Sequence, residues 1–324
     1  MYFDGHSDIW NDVTKRRLSG ETDVFSRYHA KRLKEGMVEG SIFVIWVDPP
    51  YTEDYGKRTR QIMEAVQAEI AESKELVIVH NYSEMMKARE NGQFYVFIGV
   101  EGMAYIGSDV SMIDDYYDFG ARHAMLTWNE VNALGAGAAS GKKSLPLTEA
   151  GRRAVHYMND KGMLIDVSHL NEGGFWDVAR LSTKPFVASH SNASALCDVS
   201  RNLTDDQLRA IRDANGCVGL NSFNWFISGD STKHNVEELA RHAAHMIDVM
   251  GIDHVGCGFD FCEFLGPGAT FSNPDKERSF THGLEDCRSI CKLFECFDRM
   301  GMTSIEKEKI ARLNFQRVIK EVIG

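Results

Sequence analysis

The feature of the sequence that most constrains its fold is a short apolar run that recurs eight times, usually with a polar residue at its end. Stretches of helical character follow most of these runs. The runs cover residues 1–8, 39–47, 94–101, 122–129, 162–169, 185–190, 216–221 and 254–260. Nearly continuous apolar strands are typical of parallel sheets that are covered on both faces. The pattern therefore predicts repeated β-α units rather than an open antiparallel sheet.

Helices are predicted between the strands and after them, at 57–74, 82–91, 109–118, 148–161, 172–182, 204–214, 235–250, 283–299 and 304–322. Thr148 and Thr204 are the expected N-caps of two of these helices, since a threonine hydroxyl accepts a hydrogen bond from the first turn. Eight β-α units in 324 residues fit an α/β fold, a (β/α)8 TIM barrel with additional C-terminal helices, as a single domain over 1–324. A doubly wound sheet is the alternative, but its ligands gather at one switch point.

Charge and composition limit the partners of the chain. Its 36 Lys and Arg residues against 47 Asp and Glu residues give a formal net charge of −11, which repels a phosphate backbone. We therefore expect no nucleic-acid partner. With no leader peptide and no run of about 18 apolar residues, the sequence predicts a cytoplasmic protein without membrane insertion. The seven cysteines form no C-x-x-C pair and are expected to be free, mostly buried thiols.

Side chains that can bind a metal fall at the carboxyl ends of four predicted strands, and they are His6, Asp8, Glu101, His169 and His190. His6 and Asp8 are two residues apart on the first strand, so both should face the barrel mouth. Three imidazoles and two carboxylates suit Zn²⁺, with Mn²⁺, Co²⁺ or Fe²⁺ also possible. Because one catalytic zinc usually takes three protein ligands, this set favours two metals with one carboxylate between them.

Two further polar side chains follow later strands. Asp260 ends the eighth predicted strand, where its carboxylate can orient a hydroxide or act as a general base. Arg201 follows the sixth strand, and its guanidinium can bind a substrate carboxylate through two hydrogen bonds. A surface salt bridge is the alternative role for Arg201. We expect structural roles for His123, at the start of the fourth strand, and for His242 and His245, on a helix.

The ordered motifs resemble those of the membrane (renal) dipeptidase family, a branch of the amidohydrolase-like metal-dependent barrels. They are His6-Ser-Asp8, Gly99-Val-Glu101-Gly102, Leu164-Ile-Asp-Val-Ser-His169, Ala188-Ser-His190-Ser191, Ser200-Arg201-Asn202-Leu203 and Gly256-Cys-Gly-Phe-Asp260-Phe261. The resemblance implies hydrolysis of dipeptides, often with a D-residue at the C-terminal position, by a homodimer. It also implies two Zn²⁺ per chain that share Glu101, one bound by His6 and Asp8 and the other by His169 and His190.

The resemblance also implies roles for the residues around these metals. Arg201 is expected to bind the C-terminal carboxylate of the dipeptide. Asp260 is expected to act on the bridging water and on the amino group that is released, so that Glu101 and Asp260 are the catalytic residues. In this interpretation a hydroxide that bridges two zinc ions attacks the peptide carbonyl.

The sequence departs from the family pattern at two positions. The family pattern after the fourth strand is Leu-Thr-His, whose imidazole helps to polarise the substrate, whereas this chain has Leu126-Thr127-Trp128-Asn129. The indole of Trp128 or the amide of Asn129 must then donate to the oxyanion, or the metals stabilise it alone. Cys262 stands where an acid is common. We also expect Phe223, in the loop after the seventh strand, to contact the substrate.

Two alternatives to a zinc-dependent dipeptidase remain open at the level of the sequence. The first is a binuclear-metal amidohydrolase that acts on N-acyl amino acids or on another small amide. The second is a catalytically weak barrel that serves as a binding protein, to which the departures at Trp128 and Cys262 point. The presence of all five ligand residues favours an enzyme over this second alternative.

Overall fold

The strands of the chain lie in one sheet in the computed structural model, which describes residues 1–265 and 280–324. Within these residues the strands are β1 (Tyr2–Ser7), β2 (Val38–Trp46), β3 (Leu76–Ile78), β4 (Phe94–Glu101), β5 (Ala121–Met125), β6 (Leu164–Asp166), β7 (Val187–Ala188), β8 (Cys217–Leu220) and β9 (Val255–Cys257). Eight strands follow the parallel order β1-β2-β4-β5-β6-β7-β8-β9, while β3 pairs only with the first residues of β4. Because β9 returns to lie beside β1, the path nearly closes into a barrel.

Helices alternate with these strands along the chain. They are α1 (Ile9–Leu18), α2 (Lys31–Glu35), α3 (Tyr55–Glu72), α4 (Tyr82–Glu90), α5 (Ile113–Phe119), α6 (Glu149–Lys161), α7 (Glu172–Leu181), α8 (Asp205–Asp213), α9 (Val236–Met250), α10 (Ile290–Arg299), α11 (Ser304–Glu308) and α12 (Asn314–Val322). Short π-helices over Phe25–Ala30 and Lys309–Leu313 lead directly into α2 and α12. This arrangement confirms the predicted (β/α)8 TIM barrel with additional C-terminal helices.

The structure differs from the predicted elements at several places. The apolar pattern does not predict α1, α2 or β3. In α1 the polar side chains of Asn11, Asp12 and Thr14 are buried together with apolar ones, so the helix has no clean apolar stripe. The helix predicted at 283–299 begins only at Ile290, after a tight turn, and the strand predicted at 122–129 ends at Met125.

The structure confirms the two predicted threonine N-caps and the predicted free, mostly buried cysteines. The Thr204 hydroxyl accepts from the Gln207 backbone N–H over 3.3 Å, and the Gln207 side chain accepts in return from the Thr204 N–H over 2.9 Å. Thr148 caps α6 by accepting from the Gly151 N–H over 3.0 Å. All seven cysteines are free thiols, and five of them are buried.

Among residues 1–265 and 280–324, every helix is too short or too polar to span a bilayer.

The first and last barrel strands are joined by a buried side chain rather than by a backbone ladder. Asp4 of β1 accepts a hydrogen bond from the Phe259 backbone N–H, just after β9, over 2.9 Å. Burial raises the pKa of Asp4 to about 7. Gly5 allows the close approach, because a Cβ there would lie 3.0 Å from the Cys257 carbonyl oxygen and 2.7 Å from the Phe315 ring. The contact of Asp4 fixes the backbone that leads into Asp260.

A buried histidine–carboxylate hydrogen bond ties neighbouring strands together beneath the barrel mouth. The Nε2 atom of His123, on β5, donates to Asp166 Oδ2, at the end of β6, over 2.8 Å, and both side chains are fully buried. Asp166 Oδ1 accepts from the Ser168 N–H (2.9 Å), the Ser168 hydroxyl (2.6 Å) and the Ser189 N–H (3.1 Å). Burial alone would raise the pKa of Asp166, but these hydrogen bonds and the His123 charge lower it to about 2. Asp166 therefore holds β5, β6 and the segment after β7 together.

We predict that Asp166→Asn lowers the free energy of unfolding by about 2 kcal/mol at neutral pH, because the Asp166 pKa falls from 3.8 to about 2 on folding. Since the folded-state pKa is the lower one, this stabilisation is present above about pH 4 and is lost as the pH falls toward about 2. Urea denaturation of both proteins at several pH values from neutral down to about 2 measures the difference. A difference that grows in acid would contradict the prediction.

Candidate metal centre

The predicted ligands lie at the barrel mouth, each on a barrel strand or just after one. His6 is on β1, Glu101 is the last residue of β4, and His169 and His190 follow β6 and β7. Asp8 is not on a strand, because β1 ends at Ser7 and Asp8 is the N-cap residue of α1. The prediction that strand alternation aligns Asp8 with His6 is therefore wrong. The turn into α1 nevertheless brings Asp8 Oδ2 to 3.8 Å from His6 Nε2.

Glu101 lies at the centre of the cluster, and its two oxygens face different partners. Oε1 is 2.8 Å from His169 Nε2 and 3.8 Å from His190 Nε2. Oε2 is 3.6 Å from His6 Nε2. The Nε2 atoms of His169 and His190 are 3.0 Å apart, so they converge on the same point beside Oε1. The structure therefore brings the five predicted side chains to one place, with Glu101 between two groups.

Unpartnered buried atoms show that this cluster fits a cation. Both ring nitrogens of His6 and the Oδ1 atom of Asp8 are buried without a hydrogen-bond partner among the described residues. A buried polar atom without a partner costs about 1–3 kcal/mol, and coordination of a cation removes that cost. Ligand atoms of His6, Glu101 and His190 lie within 4.8 Å of one another, as do those of His6, Asp8 and Asp260. Nitrogen and oxygen ligands in this mixture suit zinc and similar divalent ions.

The charges of the cluster are strongly coupled. Burial raises the pKa of Glu101 well above its usual value, and the charges of Asp8 and Asp260 add to this, while His6 and Arg201 oppose it. Burial alone would lower the pKa of His6, but the carboxylates of Glu101, Asp8 and Asp260 raise it to about 10. The three acids therefore attract positive charge to the position of His6, which is what a divalent cation supplies.

His169 and His190 have the opposite character. Burial lowers their pKa values well below the ordinary histidine value, and the positive charges of Arg201 and His6 lower them further. Both imidazoles are therefore neutral near pH 7. A neutral imidazole keeps one ring nitrogen with a free lone pair, which is the form that binds a metal.

Each of these two imidazoles also has a partner at Nδ1. Asn129 Oδ1 lies 3.0 Å from His169 Nδ1, and Ser189 Oγ lies 2.8 Å from His190 Nδ1. The contact of Asn129 with His169 uses only its Oδ1 atom, so donation from its amide N–H to the substrate stays a prediction. Sequence reasoning does not identify Ser189, although it lies within the motif that carries His190.

Asp260 is held in an unusual backbone conformation three residues after β9. Its φ of +57° lies in the left-handed region, which costs a residue with a Cβ on the order of 1 kcal/mol and is often found at functional sites. Its Oδ1 lies 3.8 Å from His6 Nε2, while Oδ2 accepts from Asn221 Nδ2 over 3.2 Å. Burial raises the pKa of Asp260 to about 6. Asn221, which ends the seventh predicted strand, was not among the predicted site residues.

Arg201 is a buried cation and not part of a surface salt bridge. Its Nη2 donates weakly to the His190 carbonyl over 3.5 Å, and its Nε and Nη1 atoms are buried with no hydrogen-bond partner in residues 1–265 and 280–324. Burial lowers the pKa of Arg201 to about 10, so the guanidinium is still charged at neutral pH. The guanidinium therefore offers N–H donors and positive charge to an anionic group such as a carboxylate.

A cavity of about 220 Å³ adjoins the cluster, and the predicted substrate-contacting residues line it, namely Trp128, Asn129, Arg201, Phe223 and Asp260. Cys262 also lines the cavity. Sequence reasoning misses Trp46 and Phe226, which complete an aromatic wall. The ring of Trp46 lies 5.3 Å from that of Trp128 between centroids. The position of Trp46 near the end of the second predicted strand is the signal that could have identified it.

The chain is similar to known peptidases. The family profile of membrane dipeptidases, peptidase family M19, matches residues 1–323. The crystal structure of dipeptidase AC, a metallopeptidase of family M19, has a TM-score of 0.87 at 28% identity and covers 100% of this chain and 98% of its own. A Rhodobacter sphaeroides metallopeptidase liganded with a phosphinate mimic of the dipeptide L-Ala-D-Ala has a TM-score of 0.86 at 27% identity, with 99% of both chains covered. An uncharacterised Klebsiella pneumoniae protein from the pqqA 5′ region is 34% identical over 248 residues, which are 74% of this chain and 86% of that protein.

We predict that the wild-type protein binds two divalent cations and that His190→Ala binds one. His190 lies on the Oε1 side of Glu101, so its loss leaves His6, Asp8 and Glu101 to bind the other ion. Elemental analysis of protein purified by gel filtration gives the stoichiometry. His245→Ala is the matched control, since this histidine pairs with Asp205 elsewhere. Two ions retained in His190→Ala, with unchanged affinity, would contradict the prediction.

Proposed function

The chain belongs to the membrane dipeptidase family, peptidase family M19, and we propose that it is a metallodipeptidase that uses two zinc ions held on either side of Glu101. The observation that supports this most directly is the division of contacts at Glu101, whose Oε2 faces His6 and whose Oε1 faces His169 and His190. When bound, the two ions supply Lewis acidity toward the scissile carbonyl and a bridging hydroxide as the nucleophile.

The proposed ligand assignment follows the two sides of Glu101. His6 and Asp8, with Glu101 Oε2, form the first site, and the unpartnered atoms of His6 and Asp8 support it. His169 and His190, with Glu101 Oε1, form the second site, and the neutral state of both imidazoles supports it. Five ligands shared in this way leave each ion open positions for the substrate.

We assign the recognition of the C-terminal carboxylate of the dipeptide to Arg201. The guanidinium lines the cavity and has two buried donors without partners. A substrate carboxylate would accept a hydrogen bond from this guanidinium and would be attracted by its positive charge. This interaction places the C-terminal residue at Arg201 and the scissile carbonyl toward Glu101, which lines the same cavity.

We assign the proton transfer to Asp260. Its Oδ2 is occupied by Asn221, which leaves Oδ1 directed toward His6 and the first site. From this position the carboxylate can take a proton from the attacking water and deliver it to the amine that leaves. A carboxylate oxygen directed toward the first site is what this role requires.

The proposed substrates are small dipeptides, including those with a C-terminal D-residue. The cavity of about 220 Å³ lies below the usual range of about 300–1,000 Å³ for ligand pockets, which favours small side chains. The Rhodobacter sphaeroides metallopeptidase, at 27% identity, was crystallised with a mimic of L-Ala-D-Ala. Dimerisation and a cytoplasmic location remain predictions from the sequence.

The function is tested by a panel of dipeptides with L- and D-residues at the C-terminal position, assayed with protein depleted of metal and with protein supplied with Zn²⁺. We expect turnover only with metal, and on small dipeptides first. The same panel includes N-acetyl amino acids, which lack the free amino group of a dipeptide. Faster turnover of the N-acetyl compounds would mean that the protein is an amidohydrolase of another class and not a dipeptidase.

We predict that Arg201→Met lowers kcat/KM for dipeptides by roughly 10- to 100-fold, mostly through KM, since charge-assisted hydrogen bonds of about 1.5–3 kcal/mol are lost. For the corresponding dipeptide amides, wild type and variant should have similar values, because the amide offers no carboxylate. Arg241→Met, on α9 and paired with Glu238, is the control. Equal losses on acids and amides would show that Arg201 does not bind the carboxylate.

We predict that Asp260→Asn lowers kcat for dipeptides by roughly 10²- to 10⁴-fold while both metals stay bound, because an amide cannot accept the proton. Steady-state kinetics and elemental analysis of the same sample separate the two effects. Asp253→Asn, a surface position paired with Lys309, is the control. Loss of a metal from Asp260→Asn would instead show that Asp260 is a metal ligand. Its proximity to His6 and Asp8 also permits that role.

A further inference from the structure

The two imidazoles on the Oε1 side of Glu101 differ from His6 in having a fixed acceptor at Nδ1. Asn129 Oδ1 lies 3.0 Å from His169 Nδ1, and Ser189 Oγ lies 2.8 Å from His190 Nδ1. We infer that Asn129 and Ser189 are positioning residues that keep the proton on Nδ1 of both histidines and the Nε2 lone pairs toward the second metal. The inference rests on the proposed function, since it needs a metal at that position.

The chemistry of a neutral imidazole supports this assignment. Such a ring carries one N–H, and the partner of one nitrogen decides which nitrogen holds the proton. The carbonyl oxygen of Asn129 can only accept, so His169 Nδ1 must donate. Nε2 of His169 then has its lone pair free, 2.8 Å from Glu101 Oε1. The ring is held both in its orientation and in its tautomer.

Ser189 acts on His190 through a network that leaves its oxygen free to accept. The Ser168 hydroxyl donates to Asp166 Oδ1 over 2.6 Å and accepts from the His190 backbone N–H over 3.1 Å. The Ser189 hydroxyl lies 3.4 Å from the Ser168 oxygen, toward which its proton can point. A lone pair of Ser189 Oγ then accepts from His190 Nδ1–H. The backbone and the ring of His190 are thus both anchored to the buried Asp166.

His6 provides the internal contrast. Neither of its ring nitrogens has a hydrogen-bond partner in the part of the chain that the structure describes, and its ring packs against that of His190 with centroids 3.8 Å apart. His6 is therefore oriented by packing, while His169 and His190 are oriented by hydrogen bonds. Loss of Asn129 or Ser189 should consequently weaken the second metal site and leave the first unchanged. Asn129 thereby gains a role toward His169 through Oδ1, beside the predicted donation of its amide N–H to the substrate.

The test compares Asn129→Leu, Asn129→Asp and Ser189→Ala with the wild type, using Zn²⁺ in competition with a chelator. We expect Asn129→Leu and Ser189→Ala to weaken the second zinc by roughly 10- to 100-fold. Asn129→Asp should retain wild-type affinity or exceed it, because a carboxylate is an acceptor only. Absorption spectra of the Co²⁺-loaded proteins should change for the first two variants and not for Asn129→Asp.

A matched control is Ser140→Ala, which removes a hydroxyl that donates to the Gly137 carbonyl in the loop after Asn129. It should bind both zinc ions like the wild type. Thermal melts of each metal-free variant establish that it folds, and the half-buried Asn129 supplies the test by itself if Ser189→Ala does not fold.

Two results overturn the inference while the proposed function stands. In the first, the wild type binds two zinc ions, and Asn129→Leu and Ser189→Ala bind both ions with affinities within about twofold of the wild type. The other is Asn129→Asp being as weak as Asn129→Leu, which would mean that the position supplies packing or a donor. If the wild type binds no second zinc, or keeps it in His190→Ala, the proposed function fails and the inference fails with it.

Discussion

The buried carboxylate of Glu101 is the group on which the rest of the site depends. A carboxylate taken out of water is strongly destabilised unless positive charge or hydrogen-bond donors surround it. Here it lies among three imidazoles, of which two are neutral and cannot compensate it alone. Asp8 and Asp260 bring further negative charge close by. A cluster with more acids than cations at the end of a barrel is therefore incomplete without metal ions, and its residues are those of a metallopeptidase family.

Buried polar side chains, rather than long strands, position this cluster. β6, β7 and β9 are only two or three residues long, so the residues after them run across the barrel mouth and carry His169, His190 and Asp260. Asp166 and Asp4 bind the backbone of these segments through hydrogen bonds that are out of contact with water. The same scaffold that closes the barrel thereby sets the orientation of the ligands.

Much of this arrangement could be predicted from the sequence, because apolar strand runs and the polar residues that follow them are local features. The barrel, the helices from α3 onward and the convergence of the five ligand residues all follow from that pattern. The buried polar residues of α1 broke the pattern, so this helix and the true setting of Asp8 were missed. The contacts of Asn129 and Asn221 could not be predicted, since they depend on side-chain conformations across strands that are far apart in sequence.

The most direct measurement is X-ray diffraction from a crystal of the zinc-loaded protein, recorded on both sides of the zinc absorption edge. Two anomalous peaks are expected, separated by Glu101, each about 2.0–2.2 Å from its ligand atoms. One should lie at His6 and Asp8 and the other at the Nε2 atoms of His169 and His190. A single peak, or peaks that do not touch Glu101, would contradict the account.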